Sequence, residues 1–274
     1  MKTKKKKNII WHIIFILIII ISLYPIIFSI SNSFKPLKDA YHTILDIIPR
    51  KITLENYKYL FESLPIFKIT FNTFIAATAI TLIKLFISFF ASYAIVYGTF
   101  RGKRLLYFIF IGTMFVPFTV TMIPNYLIIS KLGLIDKIWG IILPQLADAM
   151  GIFLLTQTMR SIPKSLIEVA KLDNLNDRTI MRGIVFPLSK HAVYSTGIWF
   201  FITAWNEYVW PVLVLKTTEN YTLPLALQNF ISSEGGTNFS VAMAVSVIAM
   251  ILPLALYLIF QKYIIGTFVS AGVK

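Results

Sequence analysis

The chain has 274 residues, of which 57% are hydrophobic and only 14% charged, and its mean hydropathy is +0.75. Soluble domains hold an apolar share of roughly 45–50%, so this composition excludes an ordinary water-soluble fold and places the chain in a bilayer. Cysteine is absent, which removes any disulfide framework or cysteine metal site, and the meaning of the +14 net charge depends on where the basic residues lie relative to the membrane.

A membrane helix needs about 20 consecutive apolar residues. Six segments approach this: residues 8–30, 69–98, 105–129, 139–159, 193–215 and 241–261. The first follows the basic start Lys2 and Lys4 to Lys7, as a signal peptide would. Its apolar run is too long and no small-residue cleavage site follows, so it reads as a retained anchor. With the amino terminus inside, six crossings return the carboxyl terminus to the same side. Sixteen Lys and Arg residues then lie inside, including the tight Arg101 to Arg104 turn, against nine outside. The positive-inside rule accepts this orientation and explains the net charge as topology, so no nucleic-acid partner is needed. The expectation is an all-α membrane protein forming one domain over residues 1–274, with six transmembrane helices and both termini cytoplasmic.

Within the spans, Pro117, Pro124, Pro144, Pro211 and Pro253 each remove a helix hydrogen bond, which predicts bent helices supported by their neighbours. Lys84 and Asp148 also fall in spans, where a lone charge costs at least about 2.5–3.5 kcal/mol at mid-depth. They read as a snorkelling side chain or an interhelical polar contact.

The cytoplasmic loop 160–190 puts fairly polar residues between two apolar spans. Ser161-Ile162-Pro163 predicts a helix start, with serine free to cap. Leu166, Ile167, Ala170 and the stem of Lys171 share a face, so a short amphipathic helix through Asp173 follows. Asn174 ends it, since asparagine accepts a left-handed backbone. A second short helix is expected from Asn176 or Asp177 to Gly183, with Pro187 marking the start of the fifth span.

The stretch Glu168-Val169-Ala170, then Asp173-Asn174, then Pro187 resembles the EAA loop of bacterial binding-protein-dependent ABC importers. The usual pattern is Glu-Ala-Ala, then Gly, then a proline-containing end; here Val169 replaces the middle alanine and Asn174 the glycine. The resemblance extends to Gly133-Leu134, Ser161-Ile162-Pro163, Trp205-Asn206-Glu207, Trp210-Pro211 and the tail from Gly266 to Lys274. Together these are similar to the six-span permeases of the carbohydrate-uptake class, of the kind found as the smaller membrane subunit of maltose importers. The resemblance implies the type I ABC importer permease fold and a multi-pass place in the bacterial inner or cytoplasmic membrane. It implies that the loop docks on an ATPase, with Glu168, Ala170, Asp173 and Asn174 as the contact core and Val169 and Pro187 beside it. The implied partners are a second permease, two ATP-binding subunits that use the ATP, and an extracytoplasmic sugar-binding protein.

In the fifth span, Glu207 with Trp205, Asn206 and Trp210 offers aromatic faces and hydrogen-bonding groups suited to sugars. These four residues read either as a lining of the translocation path or as a gate or packing group at the outer interface, where tryptophan is enriched. By the same resemblance, the outside segment 34–68, with Asn56-Tyr57-Lys58-Tyr59-Leu60-Phe61, is where a sugar-binding protein docks. Segment 217–240, with Gly235-Gly236, reaches into that protein or closes the outer gate, and the tail makes a second ATPase contact.

No catalytic constellation is present. His12, His42 and His191 are scattered, and Gly102-Lys103 is followed by Arg104 and lacks the glycine five residues back that a phosphate-binding loop needs. The chain therefore reads as a transporter subunit without an ATPase site or cofactor of its own. The competing reading is an ion-coupled secondary transporter using Lys84, Asp148 and Glu207. The absence of an internal repeat argues against it, since many such carriers are duplicated halves.

Overall fold

Long apolar runs become long helices in the computed structural model, which describes residues 2–36, 48–233 and 239–272. Every regular element among the described residues is helical. Stretches Ile10–Ser33, Ile66–Tyr97 and Phe239–Ile259 are each long and apolar enough to cross a membrane. They correspond to the first, second and sixth predicted spans. The last belongs to helix Phe239–Gly272, so most of the tail prolongs a helix.

The three middle spans are broken. Lys103–Thr113 and Phe118–Lys131 meet at 97°, and Ile138–Gln145 and Ala149–Arg160 at 46°. Pro117 holds the first break in extended backbone, with φ −62° and ψ 141°. Proline also pushes the residue before it out of the helical region. Pro144 lies in the 3-10 turn Leu143–Gln145 just ahead of the second break. Pro124 and Pro253 sit inside helices without breaking them. The fifth span differs most. Helix Phe186–Trp205 begins ahead of the expected residue 193, stops at Trp205, and resumes as Val209–Val214. Ser189, Lys190, His191, Ser195 and Thr196 dilute its hydropathy. Among the described residues, three helices, or five if each bent pair is one crossing, therefore meet the length and apolarity required.

The described residues group into two units, Met1–Phe67 with Ala226–Ile251 and Lys68–Leu225 with Leu252–Lys274. In the first, Asn56 is buried and its amide donates to the carbonyls of Ser33 and Lys35, each at 2.8 Å. The Tyr57 hydroxyl donates to Ser33 Oγ at 2.9 Å, and its ring lies 5.3 Å from that of Phe34. The start of the 56–61 motif is thus committed to holding the end of the first helix. His42 and Gly235-Gly236 lie outside the described residues.

Helix Ile66–Tyr97 is the spine of the second unit. Toward its start, Ala76 and Ile80 pack with Ile129, Ile142, Trp210 and Val214; toward its end, Tyr93 packs with Met159, Ile167, Ala170 and Ile180. Between these apolar clusters, four-residue spacing puts Lys84, Ser88 and Ser92 on one face. Lys84 Nζ lies 3.3 Å from Asp148 Oδ2, and Ser92 Oγ donates to the Ile152 carbonyl at 2.9 Å. Lys84 and Asp148 are therefore an interhelical contact. Gly151 permits this approach, since a Cβ there would overlap the Phe200 ring and come within 2.6 Å of Ser88 Oγ.

Asp136 ties two loops of this unit together. Gly133, at φ 64°, closes helix Phe118–Lys131 with its N–H bonded to Ser130 O and that of Leu134 bonded to Ile129 O. Asp136 Oδ1 then accepts from the Lys216 and Thr217 amides at 2.8 and 3.0 Å, and Oδ2 from the Thr217 hydroxyl at 2.8 Å. Burial raises its pKa, but the bonds from Thr217, Lys216 and Asn220 outweigh this and bring it down from 3.8 to about 2. A depressed carboxylate stabilises the fold fully above its unfolded pKa and stops doing so as pH falls through the folded one. Asp136→Asn keeps one acceptor oxygen and tolerates the left-handed backbone, so it isolates the charge. It is expected to remove about 1 kcal/mol at pH 7, the difference between charge-assisted and neutral hydrogen bonds. Melting curves from pH 7 to pH 2 should show this gap constant down to about pH 4 and closing toward about pH 2.

Candidate functional site

The loop between Arg160 and Phe186 is built from local end signals. Ser161 does not cap the helix after it; its hydroxyl donates to Thr158 O at 2.7 Å and closes the helix before. Pro163 occupies the cap position of helix Lys164–Leu172 instead. Asn174 has φ 54°, and the N–H groups of Asn174 and Leu175 bond to Lys171 O and Ala170 O, both at 3.0 Å. These paired bonds are the end motif usually served by glycine, and asparagine serves it here. Asn176 Oδ1 accepts from the Thr179 amide at 2.8 Å and starts the turn Asp177–Ile180. That turn does not stop at Gly183. It runs through a wide π turn, Met181–Val185, into Phe186–Trp205, leaving Pro187 exposed in the first turn. The wide turn relieves the clash of a proline ring with the carbonyl four residues back.

Helix Lys164–Leu172 has two apolar sides. Ile167 and Ala170 point inward against Met159, Ile162 and Ile180. The loop is fastened to the helices by the Tyr93 hydroxyl, which donates to Asp177 Oδ1 at 2.9 Å. In the same region the Tyr97 hydroxyl donates to Met159 O at 2.9 Å, and Arg160 lies 4.6 Å over the Tyr107 ring. Ala170 is only 4% exposed, so it is a packing anchor and not part of an exposed contact core. Outward stand Leu166, Val169 at 56% and Leu172 at 80%, with Glu168, Asp173 and Asn174 also exposed. Beside the helix lies a cavity of about 620 Å³ whose lining includes Lys103, Arg160, Lys164, Lys171 and Glu168.

A second cavity of about 620 Å³ opens where the three broken spans come together. Met114 and Val116 reach it from the first break, Ala147 and Asp148 from the second, and Glu207 from the third, with Lys84 from the spine. Of the four path candidates only Glu207 lines it. Trp205 is 1% exposed and stacks on Phe201 at 5.7 Å; Trp210 is 0% exposed, donates from Nε1 to Gly140 O at 3.1 Å and meets Phe118 edge-on. Both tryptophans are packing groups, since the helix break turns their faces into the core. Asn206 is exposed and donates to Ile202 O at 2.8 Å. Glu207 Oε1 accepts from the Val209 and Trp210 amides at 2.8 and 3.2 Å, holding the start of the resumed helix. Sequence reasoning missed Asn125, Gln145, Thr121 and Thr203, which line the cavity with neutral polar groups that carry no charge to flag them. Among the described residues, no three His, Cys, Asp or Glu are grouped to hold a metal.

Residues 84–266 match the family described as binding-protein-dependent transport system inner membrane component. The chain is 30% identical to the arabinooligosaccharides transport system permease protein AraQ of Bacillus subtilis, covering 95% of this chain and 93% of that protein. It is 30% identical to the sn-glycerol-3-phosphate transport system permease protein UgpE of Rhizobium meliloti, covering 94% of each. Its fold matches a chain in the crystal structure of a bacterial ABC transporter involved in the import of the acidic polysaccharide alginate. The TM-score is 0.83 and the identity 25%, covering 96% of this chain and 98% of that one. The chain therefore belongs to the binding-protein-dependent transport system inner membrane component family, as an integral membrane permease subunit of an ABC importer and not itself an enzyme.

Proposed function

We propose that this chain forms half of the membrane path of an ATP-driven importer of a sugar or oligosaccharide, in the cytoplasmic membrane of a bacterium. In this reading the chain crosses six times, with Phe186–Trp205 and Val209–Val214 together making the fifth crossing and both termini on the cytoplasmic side. A second permease completes the path, an extracytoplasmic binding protein delivers the saccharide, and two ATP-binding subunits supply the energy. The observation that carries the reading is the outward ridge of Leu166, Val169 and Leu172 on a helix whose opposite side is anchored at Ile167 and Ala170. An exposed apolar ridge on a polar loop suits burial by a soluble partner. Anchoring on Tyr93 and Met159 gives a push on the ridge a rigid route into helices Ile66–Tyr97 and Ala149–Arg160. A relative from an arabinooligosaccharides transport system and a structural neighbour involved in polysaccharide import favour a saccharide as cargo over the sn-glycerol-3-phosphate of the UgpE system.

The test is uptake in proteoliposomes holding the purified complex and its binding protein. Saccharide accumulation should require ATP on the loop side and survive collapse of proton and sodium gradients. Uptake by this chain alone, driven by an ion gradient without ATP, would sink the proposal in favour of a secondary carrier.

A further inference from the structure

We infer that the cavity at the three helix breaks selects an uncharged saccharide and turns anionic ones away. The inference rests on the proposed transport function and takes this cavity, where the three broken spans meet, as part of the path. Lys84 is the one cation among the described lining residues, and it is held 3.3 Å from Asp148 Oδ2 and 5.2 Å from the centre of the Phe200 ring. Its charge is cancelled where it stands. Glu207 also lines the cavity, with no ion-pair partner among the described residues, so the lining carries one net negative charge.

The neutral groups point the same way. The hydroxyls of Thr113, Thr121 and Thr203 donate to the carbonyls of Phe110, Phe118 and Trp199, and Gln145 Nε2 donates to Ile141 O. The three threonine donors and one of the two Gln145 N–H groups are used within their own helices, which leaves the oxygens as acceptors for whatever enters. Sugar hydroxyls are donors and fit such a lining, whereas a phosphate or a uronate carboxylate brings only acceptors and negative charge. Asn125 and the second N–H of Gln145 are the amide donors that stay available among the described lining residues, fewer than the acceptors, and Met114, Met150 and Phe118 supply apolar surface for the C–H faces of a ring. A cleft lined by one sign of charge between low-dielectric walls concentrates the opposite charge and excludes its own.

Because the chain has no native cysteine, Thr121→Cys places a single thiol in this cavity. In the purified complex, with the cysteine-free chain as control, its labelling by trimethylammonioethyl methanethiosulfonate is compared with that by the sulfonatoethyl reagent. Each rate is divided by the reagent's rate with a free small thiol. The cationic reagent should be faster by about tenfold, and Glu207→Gln should bring the ratio close to unity. That variant keeps the oxygen that accepts the Val209 and Trp210 amides, so the local fold is retained. Trapping with ATP and vanadate should also change the labelling rate, as for a path residue under alternating access. Equal normalised rates, or a faster anionic reagent, would overturn charge selection alone, provided the rate still responds to trapping. A charge preference that ignores trapping would overturn the path reading and the selection with it.

Discussion

Lys84→Met alone should lower the melting temperature of the detergent-solubilised chain strongly, and adding Asp148→Asn should restore most of the loss. The pair sits between helices with its side chains 10% and 23% exposed, and both line a cavity. Removing one member of a buried pair leaves the other unpaired and costs about 3–5 kcal/mol, while neutralising both is far milder. Contact with the cavity puts the expected cost toward the lower end of that range. Asparagine suits the second substitution because Asp148 Oδ1 also accepts from the Gly151 amide at 3.1 Å, and the amide oxygen can keep that helix-capping bond. Melting curves of the two single variants and the double variant form a closed cycle. Losses that simply add would mean that Lys84 and Asp148 do not stabilise each other.

Val169→Asp combined with Leu172→Asp should leave the chain folded and reduce ATP-driven uptake by at least about 30-fold, the scale of losing a central interface anchor. Both side chains stand outward, so nothing inside the chain depends on them. Ala170→Leu should fail differently. That site is closed by Met159, Ile167 and Ile180, and forcing a larger side chain into it should destabilise the chain by about 1–3 kcal/mol. Uptake, ATP hydrolysis and co-purification of the ATP-binding chain, measured beside melting temperature, separate the two behaviours.

The features that depend on one residue's backbone chemistry were legible in the sequence. Asn174 takes the left-handed turn and Asn176 starts the next turn. Features that depend on neighbours were not. Hydropathy averages over a window and passes through residues 114–117, where the chain turns by 97°. Proline marked that break but not its angle, and Pro124 and Pro253 show that proline alone does not break a helix. In helix Lys164–Leu172, apolar residues fall on both sides, so spacing could not say that Ala170 faces in while Leu166, Val169 and Leu172 face out. Trp205 and Trp210 suit a sugar path by chemistry, yet the turn over residues 206–208 buries both and leaves Glu207 on the cavity.

Coupling through the loop requires proximity between its outward ridge and the ATP-binding subunit. Leu172→Cys in this cysteine-free chain, carrying a short photo-activated cross-linker in the assembled complex, should give an adduct with the ATP-binding chain. Phe108→Cys, equally outward on the apolar helix Lys103–Thr113, should not. An adduct from Leu172→Cys, with a yield that changes when ATP and vanadate trap the complex, is expected if the ridge docks on that subunit. No adduct from Leu172→Cys, or an equal one from Phe108→Cys, would contradict that docking.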